Sequence, residues 1–216
     1  QIGIVLQPLW RCVMSHTLRH QMPRRALPCP GDFFDEAILV HSQGQGAPGD
    51  ADPSNTTGAE LLLRWTQYGA LTPFARNHAV IHTVDQYPWS FGEDVETGIR
   101  AAIELRYRLL PYIYSAFVQA AETGAPIQRP LIFDFQDDEN LRNLDDQYLF
   151  GANLLVAPIV EDGQRKREVY LPAGEWFNFN TGEHLIGGRT IFAEAPLEFI
   201  PIFDDNLQFV CARHNP

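Results

Sequence analysis

The stretch richest in groups that could meet a polar ligand is Thr72-Pro73-Phe74-Ala75-Arg76-Asn77-His78, followed closely by Gln86-Tyr87-Pro88-Trp89. Arg76 and Asn77 bring several N–H donors, and the His78 imidazole can donate or accept. Trp89 adds a flat apolar face of the kind that packs on a sugar ring. Gathered in a loop after a short apolar segment, these residue types suit the rim of a polar-ligand site. Loops of this composition are also ordinary surface connections, so the neighbouring elements decide between the two readings.

Ahead of the loop, Leu61, Leu62, Trp65 and Tyr68 recur at three- and four-residue spacing, which predicts a helix over 60–68. Gly69 is the expected terminator. Ala70-Leu71-Thr72 then reads as a short buried strand stopped by Pro73. Helix, strand and a polar loop at the strand's carboxyl end are the local order of an α/β barrel, whose active sites are built from such loops. Behind the loop, Ile99, Ala102, Ile103, Leu109, Leu110, Ile113, Phe117 and Ala121 form an apolar stripe predicting a long helix over 95–122. Asp94 is the expected cap. Pro111 removes a donor and crowds the preceding turn, so a kink or break is expected there. Thr123-Gly124 followed by Pro126 ends the helix. Trp65, Trp89, Tyr107, Tyr112 and Tyr114 are expected in the core.

After Gly124 the period shortens toward two: Ile127, Arg129, Leu131, Phe133 and Phe135 alternate with Gln128, Pro130, Ile132 and Asp134. Leu154-Leu155-Val156-Ala157, Val169-Tyr170-Leu171, 176–179, 190–192 and 197–203 read as further short strands, with turns at Asn180-Thr181-Gly182 and Gly187-Gly188. Short strands with regular turns predict an antiparallel β-sandwich. The fold class is therefore α/β plus all-β, with a boundary near Gly124. Residues 1–57 show little periodicity: Phe33 to Val40 is one candidate element, and 42–55 is a Gly/Pro-rich loop. The clustered His16, His20, Arg24 and Arg25 have no repeating spacing and are not read as a metal or phosphate site.

The 216 residues allow one large or two small domains, and 45% hydrophobic residues suffice for a core. A formal net charge of −11 argues against nonspecific nucleic-acid binding and against an anionic membrane surface. No apolar run approaches a membrane span. Cys12, Cys29 and Cys211 show no metal-ligand spacing, and no metal or cofactor is expected. The short apolar opening lacks a basic leader, so it is not read as a signal peptide, and the first residue, Gln1, points to a fragment or processed product. Oligomeric state and compartment stay open.

Seven blocks in order carry a family resemblance. The first two are Glu60-Leu61…Arg64-Trp65…Gln67…Gly69-Ala70…Pro73-Phe74…Arg76-Asn77-His78 and Gln86-Tyr87-Pro88-Trp89. Then come Arg106-Tyr107-Arg108-Leu109-Leu110-Pro111-Tyr112-Ile113-Tyr114 and Gln128-Arg129-Pro130-Leu131. The last three are Asp145-Asp146-Gln147-Tyr148-Leu149-Phe150-Gly151, Leu154-Leu155-Val156-Ala157-Pro158 and Val169-Tyr170-Leu171-Pro172…Gly174…Trp176. Together they resemble glycoside hydrolase family 31, over roughly 58–203. The resemblance implies the last segment of a (β/α)8 barrel over 58–124, a following β-sandwich over 125–203, and unassigned segments at 1–57 and 204–216. It implies a retaining α-glucosidase-like or α-xylosidase-like activity on a carbohydrate substrate. His78 falls on the family's histidine that hydrogen-bonds the sugar where the bond is cut, and Arg76 on the arginine that shapes the loop.

The sequence also departs from the family. The motifs carrying the nucleophilic Asp and the acid/base Asp are missing, so no catalytic residue is assigned. Where the family places a substrate-binding Asp before Gly-Gly-Phe, this chain has Pro48-Gly49-Asp50-Ala51-Asp52-Pro53. Asp50 is the candidate there, without the glycines. A reading of another class is a non-catalytic carbohydrate-binding or structural β-module, carried by aromatics of 125–203 such as Trp176, Phe177 and Phe179, if these do not simply pack a core.

Overall fold

The computed structural model describes residues 39–41, 56–78 and 85–205. Asp50 and the loop over 42–55 lie outside the described residues. Strand β1 (Leu39–His41), at the end of the predicted 33–40 element, pairs in parallel with β2 (Arg76–His78) in the register Leu39↔Arg76, Val40↔Asn77, His41↔His78. Between them runs helix α1 (Thr56–Ala70), and after them helix α2 (Glu93–Thr123).

Both helices are longer than their sequence signals, and the strand is displaced. Gly69 lies inside α1, and Ala70-Leu71-Thr72 is helix end and turn, not strand. The turn is held by Leu71 N–H to Tyr68 O (3.0 Å) and by the buried Tyr148 hydroxyl to Leu71 O (2.8 Å). The strand forms instead at Arg76–His78, where β1 supplies a ladder. That partner is more than thirty residues away, so local period could not point to it.

Helix α2 starts one residue earlier than Asp94. Its N-cap is Gly92, with no side-chain cap, and Glu93, Asp94 and Glu96 all lie in the first turn. Three carboxylates there suit the positive end of the helix. The helix runs unbroken through Pro111, so of the expected kink or break the break does not occur. The lost donor leaves the Tyr107 carbonyl without its helical partner, but Tyr107 and Pro111 are exposed, where water can serve. Gly124 stops the helix as its position predicts: φ is 76°, and its N–H donates to Ala120 O at 2.8 Å.

Beyond Gly124 the strands are β3 (Gln128–Arg129), β4 (Tyr148–Phe150), β5 (Leu154–Val156), β6 (Lys166–Leu171), β7 (Glu175–Asn178), β8 (His184–Ile186), β9 (Arg189–Glu194) and β10 (Ile202–Asp204). An antiparallel six-stranded sheet has the order β3-β4-β5-β10-β7-β8, and β6 pairs with β9 as a second, two-stranded sheet. The expected alternation over 127–135 is interrupted. Pro130 has no N–H for a ladder, and Leu131–Phe133 closes into a 3-10 turn with Phe133 N–H on Pro130 O (2.9 Å).

The six-stranded sheet is covered on both faces. Tyr148, Phe150, Leu154, Val156 and Ile202 pack with Trp65 and Tyr68 of α1 and Leu109 and Ile113 of α2. Their alternating neighbours Leu149, Leu155 and Phe203 pack with Val169, Leu171 and Ala193 of the β6–β9 pair. The sheet is thus shared by the helical part and the β-sandwich. Strands β4 and β5 are both three residues long and buried on both faces, so neither carries an alternation for the sequence to show.

Gly187, at the β8–β9 turn, shows how tight the sandwich edge is. A Cβ there would lie 1.8 Å from the Pro172 carbonyl oxygen, which already accepts the Trp176 indole N–H at 2.9 Å. Gly187→Ala is expected to cost about 1–3 kcal/mol through overpacking. Urea unfolding monitored by tryptophan fluorescence measures it, and an unchanged midpoint would mean that the Pro172 backbone gives way freely.

Candidate functional site

His78 is the last residue of β2, at the carboxyl end of a strand in parallel pairing. Arg76 and Asn77 are exposed beside it. Asn77 Nδ2 donates to Gln86 O at 2.9 Å, so the end of β2 is tied to the Gln86-Tyr87-Pro88-Trp89 segment. The two stretches singled out in the sequence are therefore brought together, although 79–84 between them lie outside the described residues.

The approach to β2 is fixed from below by side chains whose role the sequence reading missed. Arg106 of α2 spans three carbonyls, with Nη1 on Ala70 O (3.0 Å) and Thr72 O (2.6 Å) and Nη2 on Pro73 O (3.0 Å). Burial lowers its pKa from the ordinary arginine value, but a guanidinium stays charged at neutral pH. The buried Thr72 hydroxyl lies 2.8 Å from Gly69 O and 2.9 Å from Phe74 O, and Tyr148 secures Leu71 from the β-sheet. Burial raises the Tyr148 pKa well above the ordinary phenol value, so the phenol stays protonated and donates. Arg106 could have been noticed as a cation on the inward side of an amphipathic helix.

Other residues of the sequence blocks act as staples between helix and sandwich. Arg64, 3% exposed, donates to Pro196 O and Ala195 O, both at 2.8 Å, and to the side chain of Gln67. Gln67 Nε2 in turn reaches Leu197 O at 2.6 Å. Glu60 is gripped by the two terminal nitrogens, Nη1 and Nη2, of Arg165. Burial, partly offset by Glu60, lowers the Arg64 pKa to about 10.

The aromatics divide differently from expectation. Trp65 is buried and Tyr112 is partly buried, its hydroxyl donating to Phe150 O at 2.7 Å. Trp89, Tyr107 and Tyr114 are exposed, at 65%, 69% and 73%. On α2, Ile103 and Leu110 join Tyr107, Tyr114 and Val118 in one exposed stripe. In the sandwich, Trp176, Phe177 and Phe179 are buried, while Phe192 is exposed on β9. The aromatics named for a carbohydrate-binding β-module are therefore core residues.

A cavity of about 320 Å³ lies in the sandwich, lined by Asp145, Asp146, Glu161, Glu168 and Arg167 among others, with no described residue of the 72–89 stretch. Arg167 ties its wall together, bonding Asp146 and the carbonyl of Pro158. Among the described residues no group of three or more His, Cys, Asp or Glu is placed to hold a metal ion, and no helix is long and apolar enough to cross a membrane.

Comparison with known proteins gives two domain matches. The glycosyl hydrolases family 31 TIM-barrel domain matches residues 39–116, and the glycosyl hydrolase family 31 C-terminal domain matches 124–204. The chain is 49% identical over 150 residues to alpha-glucosidase 2 of Bacillus thermoamyloliquefaciens, covering 69% of this chain and 19% of that protein. It is 36% identical over 181 residues to an alpha-xylosidase of Saccharolobus solfataricus, covering 83% and 24%. Among solved structures it is similar to a family 31 alpha-xylosidase from a soil metagenome complexed with xylose, with a TM-score of 0.68 and 37% identity over 76% of this chain and 27% of that one. A Flavobacterium johnsoniae family 31 dextranase complexed with glucose gives a TM-score of 0.66 and 41% identity, over 71% and 19%. The chain thus spans about a fifth to a quarter of the length of these curated relatives.

Proposed function

Because the chain belongs to glycosyl hydrolase family 31, we propose that it serves a retaining α-glycosidase as the end of the catalytic barrel (58–124) and the first β-domain after it (125–203). The substrate is an α-glucoside or α-xyloside. His78 hydrogen-bonds the sugar where the bond is cut, Arg76 shapes the loop, and Asp50 is the candidate substrate-binding carboxylate. The observation that carries this reading is the place of His78 at the carboxyl end of a strand in parallel pairing, the end at which barrel enzymes build their sites. The exposed stripe on α2 supports it, as the face that earlier barrel units would cover.

Each residue's part follows from its chemistry. An imidazole can donate to one sugar hydroxyl or accept from it, which fixes the orientation of a bound ring. Arg76 donates but does not take up a proton at working pH, so it positions and does not catalyse. Retaining cleavage needs two carboxyl groups about 5–5.5 Å apart, one as nucleophile and one as acid/base. We assign neither to Arg76 or His78.

The test is an assay of the purified chain with a chromogenic α-glucoside and α-xyloside at mildly acid to neutral pH. No turnover above a heat-killed control is expected, because positioned acid–base groups alone supply about 10²–10⁴-fold and the covalent route needs its nucleophile as well. Turnover abolished by Asp50→Asn or Asp52→Asn would overturn the assignment, by placing a catalytic carboxylate in the amino-terminal quarter.

A further inference from the structure

Tyr87 and Trp89 are large aromatic side chains held in the open. Their rings stack with centroids 5.4 Å apart and planes 9° from parallel, yet they are 53% and 65% exposed. Large exposed apolar groups in a fixed arrangement mark interaction surfaces more often than isolated ones do. Here the fixing is specific. Ser90 N–H donates to Tyr87 O at 3.0 Å, closing a four-residue turn. Pro88 stands at its second position, where a locked φ favours the turn. Upstream, Gln86 O is tied to Asn77 Nδ2. Downstream, Phe91 packs with Leu62, Leu63 and Ile99 of the two helices. The turn is thus anchored on both sides, and the outward rings gain nothing from the core.

We propose that the Tyr87–Trp89 pair is a stacking platform for a second sugar ring, next to the one bound at His78. This deepens the reading of His78 as a sugar contact and rests on it. Stacking the rings on each other leaves the opposite face of each free. A pyranose presents a flat patch of C–H groups that covers such a face, while its hydroxyls stay in water. The Asn77–Gln86 bond sets the platform beside the end of β2, one residue from His78 along the strand and one from Tyr87 along the turn. A rigid pair of rings loses little freedom on binding, so the contact is pre-organised. The platform therefore selects for chain length rather than for the identity of the first sugar.

The experiment compares methyl α-glucoside with maltose and isomaltose as ligands of the whole 216-residue chain, titrated by ligand-observed and protein-observed NMR. The disaccharides should bind about tenfold more tightly than the monosaccharide, a ratio worth about 1.4 kcal/mol. Trp89→Ala should bring that ratio to about one, and Trp89→Phe, which keeps an aromatic face, should recover most of it. His78→Ala should weaken all three sugars alike. A disaccharide preference that survives Trp89→Ala and Tyr87→Ala sinks the platform while leaving His78 in place. Loss of the preference in Trp89→Ala without any effect of His78→Ala sinks the His78 reading and leaves only a free-standing platform. No saturable binding of any of the three sugars overturns both. Unchanged near-ultraviolet circular dichroism in each variant shows that the fold is retained.

Discussion

Arg64→Met should lower the stability of the chain by about 2–4 kcal/mol, since each buried carbonyl left without its donor costs about 1–3 kcal/mol. The guanidinium is almost fully buried and holds Ala195 O, Pro196 O and Gln67, joining α1 to the segment between β9 and β10. Methionine fills much of the volume but donates nothing, so the carbonyls of Ala195 and Pro196 lose their donor inside the protein. Glu60 keeps Arg165, which limits the loss to the carbonyls and the joint they secure. Single domains are stable by about 5–15 kcal/mol, so this one change brings the chain close to unfolding. Arg64→Lys should recover only part, since an ammonium lacks the planar fork that reaches several acceptors at once. Urea midpoints at constant slope measure all three proteins. A loss below about 1 kcal/mol would mean that water replaces the staple at no cost, in contrast to the usual penalty for an unsatisfied buried group.

Arg106→Met should act locally, on the loop that leads to His78. Its three charge-assisted bonds hold Ala70, Thr72 and Pro73 in the turn before β2. Bonds to a charged group contribute about 1.5–3 kcal/mol each at most, and several share one guanidinium here. Hydrogen exchange of amides between 71 and 78 should therefore speed up by about ten- to a hundredfold, at 1.4 kcal/mol per factor of ten. Amides of β5 in the sheet centre open only with the whole fold, so they should speed up by the loss of global stability that urea unfolding of the variant reports. On the proposed reading of His78, sugar affinity should fall along with the loop's protection. Unchanged exchange between 71 and 78 would show that the three Arg106 bonds do not hold the loop.

The helices and the site loop were legible because their signals are local. The spacing of Leu61, Leu62, Trp65 and Tyr68 marked α1, and that of Ile99, Ala102, Leu109 and Ile113 marked α2. Gly124 could be read as a stop because the left-handed conformation it adopts favours glycine. The errors share one cause. Ala70-Leu71-Thr72 looked like a strand because apolar residues before a proline suit one, but Tyr148 and Arg106 hold that backbone as a turn. Ile103 and Leu110 fit the helical period of the apolar stripe, yet they face outward. Arg64 and Gln67 are polar, and sequence offers no means of seeing that each is buried against carbonyls contributed from far along the chain.

Sequence alone determined the family, through the order of its blocks, the class of the two parts and the change of character at Gly124. It singled out the stretch with Arg76 and His78 as the candidate polar-ligand rim, while expecting Trp89 in the core. Only the tertiary structure decided where the strand before His78 begins, because a strand is made by its partner, and Leu39–His41 lies far upstream. Only the tertiary structure decided that Trp176, Phe177 and Phe179 are core while Tyr87 and Trp89 are exposed, because burial depends on what folds over a ring. Aromatic residue type sets how much a side chain gains by leaving water. Which of the rings leave it is settled by the sheet that closes over Trp176 and by the turn that holds Trp89 outward.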